Sequence, residues 1–554
     1  MNKKTFIIIG VFICLLFAIP MASATDVDVH NGLAIESAAA DFSMDAVNNA
    51  SVEDSNSIVS NAADSSDSNI IPDNNNLSGI QYDSADVKNS KTLAASNDNV
   101  LGADGTGNTF ADLQYLIDHA SGTLTLDRDF NFVSGSDDDH ANGIIINNTL
   151  TINGGGHTID AKNLARIFNI SASNVQLNNL ILINGKSAEN GGAIYIQTQG
   201  GKTNLENITL KFCEAENGGG IYTVTPTVMK NITAINCTAT GNGGAIFAAA
   251  DGTDVALDIF NLYNNTALNG GAFYTHGDNI KITNVDAQNN TASGQGGAVY
   301  AYGHHLTLDG IKFIKNHAGI NPTDNSSGGA IYIEGNMTKV NDCNFTNNSA
   351  VKGGAILVQG NNATINLSNF VGHNADEEGG AVYVNGTGTS IDNSTFTNNT
   401  SHDDGGAIAW WGNDGKVYNV TCFNNSGIGH NHKSSGGTMS IYGSNISMDK
   451  LNITLGYVTS DQGQVSKGGG MFITGNNVNI TNSSFTNCSA QTQVDDSSAG
   501  ALYIIGNNTN VINCNFTNNT AWEDGGAVFV EGQNCTFNNT VFINNTAHND
   551  GGAI

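Results

Sequence analysis

A five-residue phrase, Gly191-Gly192-Ala193-Ile194-Tyr195, constrains this chain more than anything else in it, because it keeps returning. It recurs at 296–300, 328–332 and 379–383, and with Phe in last place at 525–529. Weaker copies stand at 218–222, 243–247, 270–274, 353–357, 405–408, 436–439, 468–472, 499–503 and 551–554. From Gly353 to Gly379 to Gly405, and from Gly525 to Gly551, the step is 26 residues. A fixed period of roughly 20–50 residues marks a solenoid or a propeller. The unit 379–404 holds three short β-prone runs, 381–384, 389–391 and 394–396, separated by Asn, Asp and Gly. Such runs read as strands, and no segment beyond residue 191 sustains a helical pattern. Strands that pair with their own copies one repeat later make an all-β, right-handed parallel β-helix of three strands per coil. Its coils stack about 4.8 Å apart. A propeller blade needs about 40–45 residues, too many for this unit. Alternation along the first strand predicts Ile194, Ile246, Ile331, Val382 and Val528 inside, with Tyr195, Tyr222, Tyr300, Tyr332 and Tyr383 on the opposite face.

The ends of the chain read differently. Residues 1–24 have Lys3 and Lys4, an apolar run and the small residues Ala22-Ser23-Ala24, the pattern of a secretory signal cleaved between Ala24 and Thr25. Residues 25–105 form an acidic spacer rich in Ser, Asp and Asn. It has too little apolar surface to offset the entropy of ordering, so disorder is expected. Residues 106–190 begin with the one convincing helix, 109–120, where Thr109 and Asp112 approximate a capping box. That helix suits the open end of a solenoid, followed by irregular first coils. The repeat region, 191–554, stops inside a repeat at Ile554, which reads as a truncated chain.

A formal net charge of −30 with only Arg128 and Arg166 for arginine leaves no basic patch for phosphates, which excludes nucleic acid as a partner. The mature chain offers no apolar run long enough for a membrane span. The cysteines read as small buried hydrophobes. Cys213 and Cys237, one coil apart, leave open the option of a bridge.

The Gly-Gly-Ala-Ile phrase alternates with Phe-x-x-Asn, as in Phe313/Asn316, Phe345/Asn348, Phe396/Asn399, Phe516/Asn519 and Phe542/Asn545. This pairing resembles the repeat of the chlamydial polymorphic outer-membrane proteins. With Thr109-Phe110-Ala111-Asp112-Leu113-Gln114 and Thr151-Ile152-Asn153-Gly154-Gly155, the fuller unit is also similar to secreted adhesin-like proteins of methanogenic archaea. The resemblance implies a pectate-lyase-like β-helix at the cell surface or in the envelope, with an adhesive function toward a glycan or a cell-surface protein. The C-terminal barrel of the chlamydial family does not follow in this sequence.

The alternative is a secreted polysaccharide-degrading β-helix, a lyase or a glycoside hydrolase. Hydrolysis needs two carboxylates at a set separation, and Asp403-Asp404 is the best local pair. Neighbouring coils carry Glu377-Glu378, Glu523-Asp524 and Asn549-Asp550 at the same corner, so a repeated solvated turn is the blander account, and no catalytic residue is assigned. Glu378 with Asp404, and Asp524 with Asp550, stack one coil apart and make weak calcium candidates; no other cofactor is indicated. Trp410 and Trp411 interrupt a strand; one of them could stack on a sugar, and packing into the core is the alternative account. Sequons at Asn207, Asn231, Asn336, Asn385, Asn452 and Asn515 offer N-glycosylation sites in an exported chain. Three consecutive long repeats carry their surplus at 426–435, 455–467 and 489–498, which predicts a ridge of stacked loops. Insertions in a solenoid gather on one face, often the binding face, so His430, His432, Tyr457, Asp461, Gln464, Asp495 and Asp496 become ligand candidates there. The Tyr stripe is the next candidate surface.

Overall fold

The computed structural model describes residues 104–249, 256–319, 326–429, 434–460, 464–492 and 497–554. The signal, the cleavage point Ala24/Thr25 and nearly all of the acidic spacer lie outside the described residues.

The described chain is an all-β parallel solenoid whose strands form three long sheets. The first sheet stacks fifteen three-residue strands, from Ile144–Ile146 to Val528–Val530, and from Ile194–Ile196 onward each falls on the Ile-Tyr part of the repeated phrase or its weaker copies. Its burial alternates inward, outward, inward. Ile194, Ile246, Ile331, Val382 and Val528 are fully buried, while Tyr195, Tyr222, Tyr300, Tyr332 and Tyr383 lie half-covered outside, as the alternation predicts. The second sheet takes two short strands from most coils, and the third takes one strand of two to four residues. In the unit from Gly379 the strands are Val382–Val384, Ser390–Asp392, Thr395–Thr397 and Thr400–Ser401. Each begins one residue later than its run in the sequence suggests, and the fourth is an addition. Thr400–Ser401 is too short and polar to announce itself; pairing with Asn374–Ala375 and Ser426–Gly429 makes it a strand.

Corners between strands are built by residues with positive φ, such as Asn393 (48°), Asn398 (55°) and Gly379 (69°). Asn tolerates this region better than other residues with a side chain. The second glycine of each pair answers to a different demand. A Cβ on Gly380 would sit 2.0 Å from the carbonyl oxygen of Gly406 in the next coil, so the coils close only because nothing is there.

Inside, the Phe-x-x-Asn motif resolves into two ladders. Phe313, Phe345, Phe370 and Phe396 stack at centroid spacings of 4.9, 4.7 and 4.6 Å. Three residues on, a buried Asn column runs beside them. The Asn290 Oδ1 accepts from both the backbone N–H and the amide of Asn265, each at 3.0 Å. Its own amide donates to the Leu262 carbonyl at 2.8 Å and to Asn316 Oδ1 at 3.0 Å. Burial of an amide is tolerated when its donors and acceptors are matched in this way. Cys213 and Cys237 occupy the first places of the same column as free, buried thiols, which leaves the bridge unformed.

At the first coils the helix Phe110–His119 covers the edge. Thr109 and Asp112 form the capping box, and Asp137 accepts from the N–H groups of Phe110 (3.1 Å) and Ala111 (3.0 Å). Gln114 works on the sheet itself. Its side chain accepts from Ile145 N–H at 2.7 Å and donates to Ile145 C=O at 3.1 Å, filling bonds that the edge strand would otherwise leave open. Among the described residues no helix is long and apolar enough to cross a membrane.

Candidate functional site

The outer face of the first sheet carries three parallel columns, set by strand register. The middle column is the fifth residue of the repeated phrase. It begins as a continuous aromatic ladder: Tyr195, Tyr222, Phe247, Tyr274, Tyr300 and Tyr332 stack at 5.5, 4.9, 4.9, 4.9 and 5.0 Å. Arg166, buried and bonded to the carbonyls of Asn142, Asn190 and Gly191, lays its guanidinium 5.1 Å from the Tyr195 ring at the head of the ladder. In an unbroken ladder each ring covers the faces of its neighbours, so only ring edges meet solvent. Faces become available where the ladder stops.

It stops after Tyr332. The next residues in register are Leu357, Tyr383, Ala409 and Ser440 before aromatics resume at Phe472, Tyr503 and Phe529. Beside this break the corner column, the residue before each Gly-Gly, reads Ser327, Lys352, Glu378, Asp404 and Ser435. The column after the strand reads Glu334, Gln359, Asn385, Trp411 and Tyr442. The small side chains of Ala409 and Ser440 make room for two large rings that reach from one outer column to the other. The Trp411 indole N–H donates to Glu378 at 2.6 Å, and the Tyr442 hydroxyl donates to Asp404. The two rings stack at 4.0 Å and 17°, and Trp411 is 41% exposed.

Electrostatics follow from this packing. Burial, then the charge of Asp403, pushes the Asp404 carboxyl up to about 7, against the Tyr442 O–H and Ser435 N–H that favour its ionised form. Burial and then Glu378 raise the Tyr383 hydroxyl to about 12. The Lys352 ammonium lies 3.3 Å from Glu377, 3.6 Å from Glu378 and 5.3 Å from the Tyr383 ring centre. Between Tyr332 and Tyr383 an open groove of about 380 Å³ is floored by Leu357 and flanked by Gln295, Ser327, Lys352, Gln359 and Asn385.

Other candidates are placed as follows. Trp410 points inward, fully buried, with its indole N–H on the Gly412 carbonyl at 2.9 Å, so it is a core residue and unable to reach a ligand. At the calcium corner, Asp404 accepts from Ser435 N–H and Tyr442, while Asp524 accepts from Asp550 N–H at 3.0 Å. Among the described residues no group of three or more His, Cys, Asp or Glu is arranged to hold a metal ion. Of the loop ridge, His430, His432, Asp461, Asp495 and Asp496 lie outside the described residues; Tyr457 and Gln464 are exposed. The stems of the first two long loops stack, since Ser426–Gly429 pairs in parallel with Tyr457–Ser460 and Ser434–Ser435 with Ser466–Lys467. The sequon residues Asn207 and Asn231 sit in left-handed corners within an outer Asn ladder, where Asn231 donates to Asn207 at 2.7 Å and Asn207 to Asn179 at 3.0 Å. Asn336 holds a neighbouring coil by accepting from Asn361 N–H at 2.7 Å, Asn385 lines the groove, and Asn452 and Asn515 face outward from strands. Loop length drew the sequence reading to the ridge. The signal for the broken ladder was the fifth position of the weak copies, where Leu357, Ala409 and Ser440 replace an aromatic ring.

Residues 342–359, 393–409 and 539–554 match the model of the Chlamydia polymorphic membrane protein repeat. The first two matches each run from a left-handed corner of the second sheet through the buried column to a strand of the first sheet. A 137-residue stretch is 34% identical to the probable autotransporter YfaL of Escherichia coli K12, covering 21% of this chain and 11% of that protein. Among solved structures, the chain is similar to alginate lyase AlyF-OU02 in complex with G6 (12% identity, 69% of this chain, 86% of that one, TM-score 0.35). It is also similar to the Siphovirus 9NA tailspike receptor-binding domain (11% identity, 77% and 74%, TM-score 0.22). At these scores neither structural likeness supports an argument about this chain.

Proposed function

We propose that this protein is an exported, surface-displayed solenoid that binds an extracellular glycan without cleaving it, in the manner of an adhesin. The observation that carries this reading is the broken aromatic ladder: Tyr332, Tyr383 and Trp411 bring ring faces, amides and charged groups together on one rigid outer face. Sugar recognition uses this combination of an apolar ring face and a polar rim. Placement at the surface is supported by the repeat family and by the autotransporter relative, both of surface-protein classes. The carboxylates beside the groove are engaged with Lys352, Trp411, Tyr442 and the backbone, an arrangement suited to fixing the rings.

The test is a panel of soluble polysaccharides scored for both binding and turnover, with and without calcium. Retention of polysaccharide with no release of reducing ends or unsaturated uronides supports the reading. Turnover abolished by Asp404→Asn, with the fold intact, would replace it with the enzyme reading.

A further inference from the structure

We infer that the groove over Leu357 is a discrete subsite for one ring of a neutral hexopyranosyl glycan. The inference rests on the glycan-binding reading and narrows it to a place and a chemical class.

Three observations converge there. First, Tyr332 and Tyr383 stand two coils apart in register, with Leu357 between them. Two strand spacings separate their rings by about 10 Å, where an uninterrupted ladder would have a third ring. Leu357 is 5% exposed and fills only the floor. The resulting groove, about 380 Å³, lies within the roughly 300–1,000 Å³ usual for small-ligand sites. A sugar ring entering it takes the place of the missing rung and meets the face of Tyr332 that the ladder leaves open.

Second, the rim is built for hydroxyl groups. The Asn385 amide donates to Gln359 Oε1 at 3.0 Å, which holds the two side chains together and leaves the Gln359 amide nitrogen and the Asn385 carbonyl oxygen to meet a ligand. Third, the charges argue for a neutral ligand. Lys352 is the cation of the groove, and Glu377 and Glu378 already stand 3.3 and 3.6 Å from its ammonium. A formal net charge of −30 on the chain repels a polyanionic glycan at long range. Two coils beyond the groove, Trp411 offers a second exposed aromatic surface.

The closing experiment restores the missing rung. Full-length protein is produced without N-glycosylation, so that Asn385 is bare. It is titrated with hexasaccharides of β-linked glucose, mannose and xylose, and with a hexauronate, by calorimetry and intrinsic fluorescence. Wild type is expected to bind a neutral hexose hexasaccharide, and Leu357→Tyr to keep its melting temperature and lose at least tenfold in affinity. Tyr332→Leu, which removes a wall without adding bulk, is expected to lose affinity likewise and carries the test if the Tyr variant misfolds. Wild-type affinity in either folded variant overturns the subsite while the glycan reading stands. Preference for the hexauronate overturns the ligand class. Binding of no polysaccharide by wild type overturns the glycan reading itself, and the subsite with it.

Discussion

Single residues show how strictly the columns are specified, and His373 is the clearest case. It stands where the buried column has Asn on either side, at Asn348 and Asn399. Its Nδ1 accepts from Asn348 N–H at 3.0 Å, but Nε2 is buried without a partner, and burial lowers its pKa to about 3. A histidine held neutral in this way contributes fully above its unfolded pKa of about 6.5, and the contribution is lost as pH falls through the folded value. His373→Asn should therefore restore the ladder, raise stability by about 1–3 kcal/mol and flatten its acid dependence between pH 6.5 and 3. Denaturant melts across that range check it. Asp404 has the opposite sign. Its folded pKa near 7 lies above the ordinary 3.8, so its contribution is complete below about pH 3.8 and lost as pH rises through 7. Asp404→Asn keeps Oδ1 as the acceptor for Ser435 N–H and turns an amide donor toward the Tyr442 hydroxyl oxygen, and it should make the protein more stable than wild type at pH 8, with no gain at pH 3.5.

At the level of the element, the unit is a turn of chain with four corners, and the glycines divide the work among themselves. Gly379 supplies a positive φ; Gly380 supplies empty space against Gly406. Gly380→Ala places a methyl carbon against two backbone carbonyls, Gly406 of the next unit at 2.0 Å and Thr400 near the end of its own unit at 2.6 Å, which only a shift of the stacked backbone relieves. A cost of about 3 kcal/mol or more is expected, at the upper end of overpacking. Because each coil touches only its neighbours, the damage should read as lost amide protection in the coils on either side, with distant coils unchanged. Coil-level features were legible in the sequence for the same reason. Most units repeat the demand for a close glycine, an inward apolar side chain and a buried Asn, so chance departures average out. The facing of Ile194 and Tyr195 and the box at Thr109 and Asp112 were readable; the strand Thr400–Ser401, with no apolar signature, was not. Trp410 and Trp411 looked alike in sequence, and only the alternation of the strand sends one into the core and leaves the other outside.

Across the whole molecule, a ladder of touching rings is a structural spine, and its interruption is where chemistry becomes available. The interrupted coils are also those where the corner column turns from Asn and Gln to Lys352, Glu378 and Asp404, so the change in packing and the change in charge coincide. Trp411 and the Tyr stripe were named from the sequence, but the break between them was not, because it consists of departures from a motif, and departures look like decay until register aligns them. Loop length, the signal that was followed, points to a ridge whose stems do stack beside one another. The two surfaces can be told apart in one measurement. Hydroxyl-radical footprinting of the full protein, with and without a bound neutral hexasaccharide, reads side-chain protection residue by residue. The account predicts protection concentrated at Tyr332, Tyr383 and Trp411, with Tyr457 unchanged. Protection at Tyr457 and the loops around it, with the broken ladder as reactive as in the free protein, would contradict it.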